Sequence, residues 1–403
     1  MAVAMFAAFA FAYFFSALLR AVTATLAPAF SAELALSAGD LGLLAGAYFL
    51  GFSLMQLPLG RALDRWGPRR VLLGFLTLAV LACAWFALAR GFASLLAART
   101  LIGVGASACL MAPLTAYRLR LGAAAQLRAN SWMLMTGSLG MVASTLPVQW
   151  LLPVVGWRGL FWTVAVLLAL ATLLIAVVVP RDTGSGLTAN GPADDPLGYR
   201  VIFRHPYFVQ LAPLAFFVYG GLIAVQSLWA GPWLTEVAGW SASAAAIGLF
   251  EINLSMLLTF FAWGIAMPHL TRIGWNVDRL IAVGVPLSLV LLCIVVAWGR
   301  ESGAALWAAW CMSCTFVSLS QPALALAFPS SAAGRALTAF NLIIFLGVFS
   351  VQWGIGLAID AMAAFGWPRA DAFRAAFGLF ALACVLSYAW FLWRGNERAR
   401  LQR

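Results

Sequence analysis

What most constrains this chain is an apolar run of about 20 residues that recurs from Ala2 to Trp393, with charge confined almost entirely to the gaps between runs. A helix of about 20 residues is roughly 30 Å long, the thickness of a bilayer's hydrocarbon. Inside that layer only a helix or a closed barrel satisfies every backbone donor and acceptor. Such segments lie near 4–30, 40–60, 71–89, 93–117, 129–152, 159–179, 207–234, 243–268, 279–298, 303–327, 336–361 and 371–393. The composition leaves no soluble alternative, because 64% of residues are hydrophobic and 9% charged, against about 25% charged in soluble domains. A signal peptide or single anchor cannot explain this hydrophobicity, because the apolar runs recur along the whole chain.

The expected fold is therefore an all-α polytopic membrane protein of twelve transmembrane helices. One long polar stretch, Arg181 to His205, is rich in Gly, Pro, Asp and Asn and has no apolar face to bury. It divides the chain into an N-terminal six-helix bundle (1–180), a cytoplasmic linker (181–205) and a C-terminal six-helix bundle with a short tail (206–403). The halves echo each other, making the bundles pseudo-symmetric. "GWRGLF" at 156–161 corresponds to "GWPRADAFRAAF" at 366–377. Arg128 and Arg335 open spans five and eleven, 207 residues apart, while Gly60 and Gly264 lie 204 apart near the ends of spans two and eight. Paired halves of this kind place a substrate site between them and work by alternating access.

All basic residues are arginine, and the net charge is +11. They are scattered over short loops, which argues against nucleic acid and for topology. With the N-terminus cytoplasmic, that side receives Arg61, Arg65, Arg69, Arg70, Arg118, Arg120, Arg128, Arg181, Arg200, Arg204, Arg272, Arg279, Arg335 and the tail arginines, whereas the other receives Arg90, Arg158, Arg300, Arg369 and Arg374. Both termini are thus expected inside a bacterial inner membrane. The six cysteines all fall in apolar segments and read as packing residues.

Span two runs into "GRALDRWGPRR", Gly60 to Arg70. Gly60 can admit a close helix neighbour, while Gly67 and Pro68 enforce a turn. Asp64 stands among Arg61, Arg65, Arg69 and Arg70, free to accept a charge-assisted bond or to cap the next helix. Gly60, Asp64, Arg65, Gly67, Arg69 and Arg70 are read as a gating latch. The blander reading is a positive anchor plus a turn. This loop resembles the signature loop of the major facilitator superfamily, and "RTLIGVG" (Arg99 to Gly105) resembles that superfamily's second motif. The resemblance implies two bundles, alternating access and often proton coupling, but no substrate. The second copy of the loop, "GIAMPHLTRIG" at 264–274, has Pro268 where the first has Asp64, so the latch is expected mainly in the first half. Gly137, Gly140 and Pro147 are too irregularly spaced to match the family's glycine-proline motif.

Three ionisable residues lie well inside spans: Arg20, Arg99 and Glu251. Burying charge is costly, so each must face a cavity or a partner. The guanidinium of Arg20 offers a planar fork suited to carboxylate or phosphate; its alternative is an internal structural pair. The resemblance strengthens the anion reading, since several organic-anion transporters of the superfamily use a first-helix arginine. Glu251 is a carboxyl whose proton affinity responds to its surroundings, and is assigned to proton coupling, with a structural ion pair as alternative. Arg99 is assigned to coupling or gating through the motif, with helix packing as alternative. Tyr13, Tyr48, Gln226, Trp229 and Asn341 join Arg20 as substrate-lining candidates, against a role as inter-helix glue. Gly220, Gly221, Gly231 and Pro232 are expected to let span seven bend, and Trp233 to anchor it at the membrane interface.

The main functional expectation is proton-coupled uptake of a small organic anion by a monomer, with protons and lipid as its other partners and no cofactor. The alternatives are efflux of amphipathic compounds, Cu(I) import through Cys311, Met312, Cys314, Met267 and His269, and a membrane receptor that does not transport. Neither histidine sits in a catalytic motif, so no enzyme is expected.

Overall fold

The computed structural model describes residues 2–181 and 198–401. Among these there is no strand, and the helices are α1 (Ala2–Leu34), α2 (Ala38–Leu54), α3 (Gln56–Trp66), α4 (Pro68–Leu88), α5 (Phe92–Arg120, interrupted at Ser107), α6 (Ala123–Ala143) and α7 (Leu146–Val178). Beyond residues 182–197, the part of the expected linker that lies outside the described residues, come α8 (Tyr199–Arg204), α9 (Pro206–Val237), α10 (Ala242–Arg272), α11 (Val277–Trp298), α12 (Ala304–Leu326), α13 (Ser330–Ala364) and α14 (Arg369–Leu401).

Ten of these helices are long and apolar enough to cross a membrane, and eleven spans result when α2 and α3, bent by 44° at Met55, count as one. The twelfth expected span, near 129–152, is divided. Gln126, Arg128, Asn130 and Ser131 make the first half of α6 polar, and the helix breaks at Ser144 and Thr145. The apolar remainder runs on into α7 until Gly156, whose φ of 65° and ψ of 172° turn the chain. The all-α polytopic architecture holds, and the count of twelve is not reached by this criterion.

The chain forms two compact units, one of Met1–Leu26 with Ala47–Pro196 and the other of Ala27–Gly46 with Leu197–Arg403. In the first, α4 packs against α5 and α7; in the second, α11 packs against α12 and α14 in the same pattern. The repeat extends to single bonds. Arg158, at the start of the last span of the first unit, donates to the carbonyl of Ala89 at the end of α4. Arg374, near the start of α14, donates to the carbonyls of Val296 and Ala297 at the end of α11. A guanidinium supplies donors where the last turn of a helix has unpaired carbonyls and partial negative charge. Gly67 and Gly274, 207 residues apart, turn the chain with φ of 78° and 83°.

Each unit has its own aromatic core. Phe86 lies 4.2 Å from Phe161 in the first, and Trp233, Trp307, Trp310, Phe377 and Phe380 meet edge to face in the second. Trp233 is therefore not an interfacial anchor: it is fully buried and its indole donates to Ser302 Oγ at 2.8 Å. Apolar stripes remain exposed, such as Trp162, Val166, Leu170, Leu173 and Val177 on α7. Lipid is the solvent that such a surface requires.

Candidate functional site

In the first unit the tight crossing of α2 and α5 sets the site. Gly51 lies against the carbonyl of Thr100, and Gly103 against the carbonyl of Tyr48, with no room for a Cβ at either position. The backbones touch, as small residues permit in membrane helices. The second motif's glycine is thus a packing device, and it brings Arg99 beside Tyr48. Arg99 is fully buried, sits 5.2 Å over the Tyr48 ring and donates from Nη2 to Leu19 O (2.9 Å) and Thr23 Oγ1 (2.6 Å), both on α1. It ties α1 to α5 by charge-assisted bonds.

One residue further along α1, Arg20 is held differently. Its guanidinium lies 5.7 Å over the ring of Phe52 and beside the phenols of Tyr13 and Tyr48. Its Nε has no hydrogen-bond partner among the described residues. Tyr13 packs its ring against the bare Cα of Gly137 on α6, and Tyr48 donates to Ser16 O at 3.3 Å. The fold thus gathers Tyr13, Arg20, Tyr48 and Arg99 into one cluster, with Phe52 and Thr23 added, which sequence spacing did not single out. Asp64 is the only described carboxylate of this unit, and it is exposed on α3. Two guanidinium groups therefore stand in an aromatic, hydroxyl-rich setting without an internal counter-ion. Such a cluster can offer donors and a positive field to an electron-rich group, over flat apolar walls.

In the second unit the other candidates satisfy one another. Gln226 and Trp229 sit in a π-turn, Val225–Trp229, one of three in α9. Gln226 Nε2 donates to Asn253 Oδ1 (3.0 Å), and the buried indole of Trp229 donates to Gln352 O (3.0 Å). Gln352 in turn donates to Ser227 Oγ. Asn341 accepts from Gln321 Nε2 at 2.7 Å. Two glycines of α9 make close contacts: Gly220 meets the α13 backbone at Gly347, and Gly221 the ring of Phe380. Glu251 is exposed on α10, on one stripe with Ile247, Leu254, Leu258, Phe261 and Ile265, and has no ion-pair or hydrogen-bond partner among the described residues.

The loop from Gly60 to Arg70 is a turn in which Gly67 occupies the N-cap position of α4 and Pro68 its first residue. Asp64 is exposed on α3 and neither caps α4 nor pairs with an arginine among the described residues. Arg69 donates to Ala176 O at the end of α7 (2.6 Å), Arg65 lies 5.6 Å over the Trp66 ring, and Arg70 is exposed. Gly60 has open space where a Cβ would be, so it makes no close helix contact here. For copper, no group of three or more His, Cys, Asp or Glu side chains among the described residues could hold a metal ion. Cys311 and Cys314 are buried while Met312 points outward.

Comparison with known proteins adds a family. The chain is 28% identical over 272 residues to a chloramphenicol resistance protein of Streptomyces lividans, an overlap of 66% of each chain. It is 25% identical over 274 residues to the multidrug resistance protein MdtL of Escherichia coli O81 (strain ED1a), covering 65% of this chain and 67% of that one. The match thus spans about two thirds of the length of these relatives. The fold is similar to that of the D-xylose–proton symporter, with a TM-score of 0.77 at 14% identity over 96% of this chain and 97% of the other. The family model of the Major Facilitator Superfamily matches residues 9–352. With its helices, its repeated halves and the Arg99 crossing, the chain belongs to the Major Facilitator Superfamily, and it is a multi-pass membrane transporter rather than an enzyme.

Proposed function

We propose that the protein exports small amphipathic compounds, neutral or anionic rather than cationic, by alternating access across a bacterial inner membrane. The observation that carries the charge preference is the Tyr13–Arg20–Tyr48–Arg99 cluster, in which the only ionised side chains are guanidinium groups. Support for export comes from the two relatives named for drug resistance. In this reading Arg20, with its unpartnered Nε, binds the polar end of the solute and Tyr13 and Tyr48 flank it. Gln226, Trp229 and Asn341 act by holding the shape of their own half. Arg99 links α1 to α5 so that binding at Arg20 is felt by the motif helix. Glu251 carries the proton, since it is an unpaired acid on an exposed intramembrane face. The loop of Gly60, Asp64, Arg65, Gly67, Arg69 and Arg70 is the cytoplasmic gate, with Asp64 free in the present conformation and engaged in the other. The domains are two six-helix bundles, 1–180 and 206–403, joined by 181–205, functional as a monomer with both termini cytoplasmic.

The test is transport in sealed proteoliposomes under imposed pH gradients, with a neutral aromatic amide, an aromatic carboxylate and a lipophilic cation as probes. Gradient-driven movement of the first two, lost in Arg20→Gln, is expected. Movement of the cation alone would overturn the proposal. Uptake of a small organic anion is the second reading, favoured by the same cluster, in which Arg20 has no carboxylate beside it and its Nε is unpartnered. The direction of flux relative to the proton gradient separates the two, and ligand binding without any flux would indicate a receptor.

A further inference from the structure

The second unit holds a cavity of about 260 Å³ whose walls are fixed by the surrounding chain. On one side is the fully buried Trp229, with its indole N–H spent on Gln352 O (3.0 Å) and the Phe373 ring edge to face at 5.9 Å. On another is Trp240, which follows the turn at Gly239 (φ 74°) and lays its ring where Gly248 and Gly303 have no Cβ. The turn between α1 and α2 closes a further side. Its place is set within the same unit, because Asp360 of α13 accepts from Ala38 N (3.0 Å) and Gly39 N (2.7 Å). Aromatic rings held in this way offer a ligand flat apolar surface at little ordering cost.

The same cavity carries both signs of charge. Glu236, at the end of α9, and Arg369, at the start of α14, approach to 3.6 Å between Oε2 and Nε, with side chains 46% and 48% exposed. At that separation the two make an ion contact without a hydrogen bond, and neither makes a hydrogen bond to any other described residue. The guanidinium also lies 5.5 Å over the Phe373 ring, so charged rim and aromatic interior adjoin. Thr235 Oγ1 turns back to the carbonyls of Gly231 and Pro232, which leaves recognition of a polar ligand chiefly to the charged pair.

That pair selects against a single charge. An anion placed on Arg369 also faces the Glu236 carboxylate, and a cation placed on Glu236 also faces the guanidinium. Like charges brought together in a site cost affinity and so discriminate between ligands. A ligand with a carboxylate and an ammonium on one carbon matches both groups by charge-assisted bonds. We propose that this cavity is a second binding site, for a small aromatic zwitterion of the α-amino-acid type: Arg369 holds the carboxylate, Glu236 the ammonium, and Trp229, Trp240 and Phe373 surround the ring. On the topology proposed above Arg369 is on the non-cytoplasmic side, so the ligand enters from outside. The site shares no residue with the Tyr13–Arg20–Tyr48–Arg99 cluster and does not depend on which solute is exported.

The experiment is equilibrium binding of tritiated L-phenylalanine to the purified full chain in nanodiscs, with phenylacetate, phenethylamine and alanine as competitors. Saturable binding of L-phenylalanine is expected. Each competitor lacks the ammonium, the carboxylate or the ring, and should compete roughly tenfold more weakly, the factor that about 1.4 kcal/mol produces. Glu236→Gln and Arg369→Gln should each weaken L-phenylalanine binding by a similar factor. A half-exposed ion pair contributes little to stability, so both variants should keep the Tm of the parent chain. Glu236→Gln should also bring phenylacetate closer to L-phenylalanine, because the repelling carboxylate is gone, a change that a merely structural role would not produce. Thr235→Trp, which fills the cavity and leaves both charges in place, should abolish binding. Absence of saturable binding, equal competition by the three analogues, or unchanged affinity in either charge variant would overturn the proposal. Because the assay involves no flux, its outcome is separate from that of the export test.

Discussion

Arg20 and Arg99 have the same side chain but do different work. Arg99 is fully buried and donates two hydrogen bonds from Nη2 to α1, with its Nε and Nη1 unpartnered, whereas Arg20 is partly exposed, lies beside the phenols of Tyr13 and Tyr48 and leaves its Nε unpartnered. Hydrogen bonds to charged groups are worth about 1.5–3 kcal/mol each, so Arg99→Gln should lower unfolding stability by about 2 kcal/mol, seen as a drop in Tm in detergent. Arg20→Gln should leave Tm nearly unchanged while weakening binding of the anionic and neutral probes. Glu251 extends the contrast. It has no partner to lose among the described residues, so Glu251→Gln should preserve folding and solute binding while abolishing the response of flux to a pH gradient. Flux that still followed the gradient would remove Glu251 from the mechanism. The sequence marks these three residues because charge inside an apolar run is conspicuous. Their partners are invisible there, since Leu19, Thr23 and Phe52 are ordinary residues of apolar helices.

Among helices, the decisive contacts are the ones without side chains. Gly103 places the α5 backbone on Tyr48, and a valine there would force the crossing apart. Overpacking of a well-packed contact costs about 1–3 kcal/mol, so Gly103→Val should lower Tm and expose Arg99 to solvent. Gly60 and Gly264 face open space, and Gly→Ala inside a helix gains about 0.5–1 kcal/mol, so Gly60→Ala and Gly264→Ala should be neutral or stabilising by the same measurement. Sequence pattern ranks these glycines alike. Gly60 even belongs to the more specific motif, and only the neighbouring backbone tells them apart. Span seven shows the same limit: its glycines are legible in the sequence, but the three π-turns of α9 and the approach of Gly220 and Gly221 to α13 and Phe380 are not.

For the whole molecule, the arginine asymmetry predicts that a fluorescent protein fused after Arg403 will mature and fluoresce in the cytoplasm, whereas a periplasmic alkaline phosphatase reporter at the same point will stay inactive. The opposite pattern would invert the proposed topology and with it the assignment of the Asp64 loop to the cytoplasmic gate. By itself the sequence determined the membrane class, the helical architecture, the repeated halves and the family, because hydrophobic length, loop charge and turn glycines act over neighbouring residues and need no knowledge of what packs where. Only the tertiary structure decided that span five is divided, that Trp233 is core, that Asp64 stands free and that Asp360 caps α2. Those outcomes depend on which helix faces meet, and a carboxylate 321 residues from the N–H it binds leaves no local trace of the pairing.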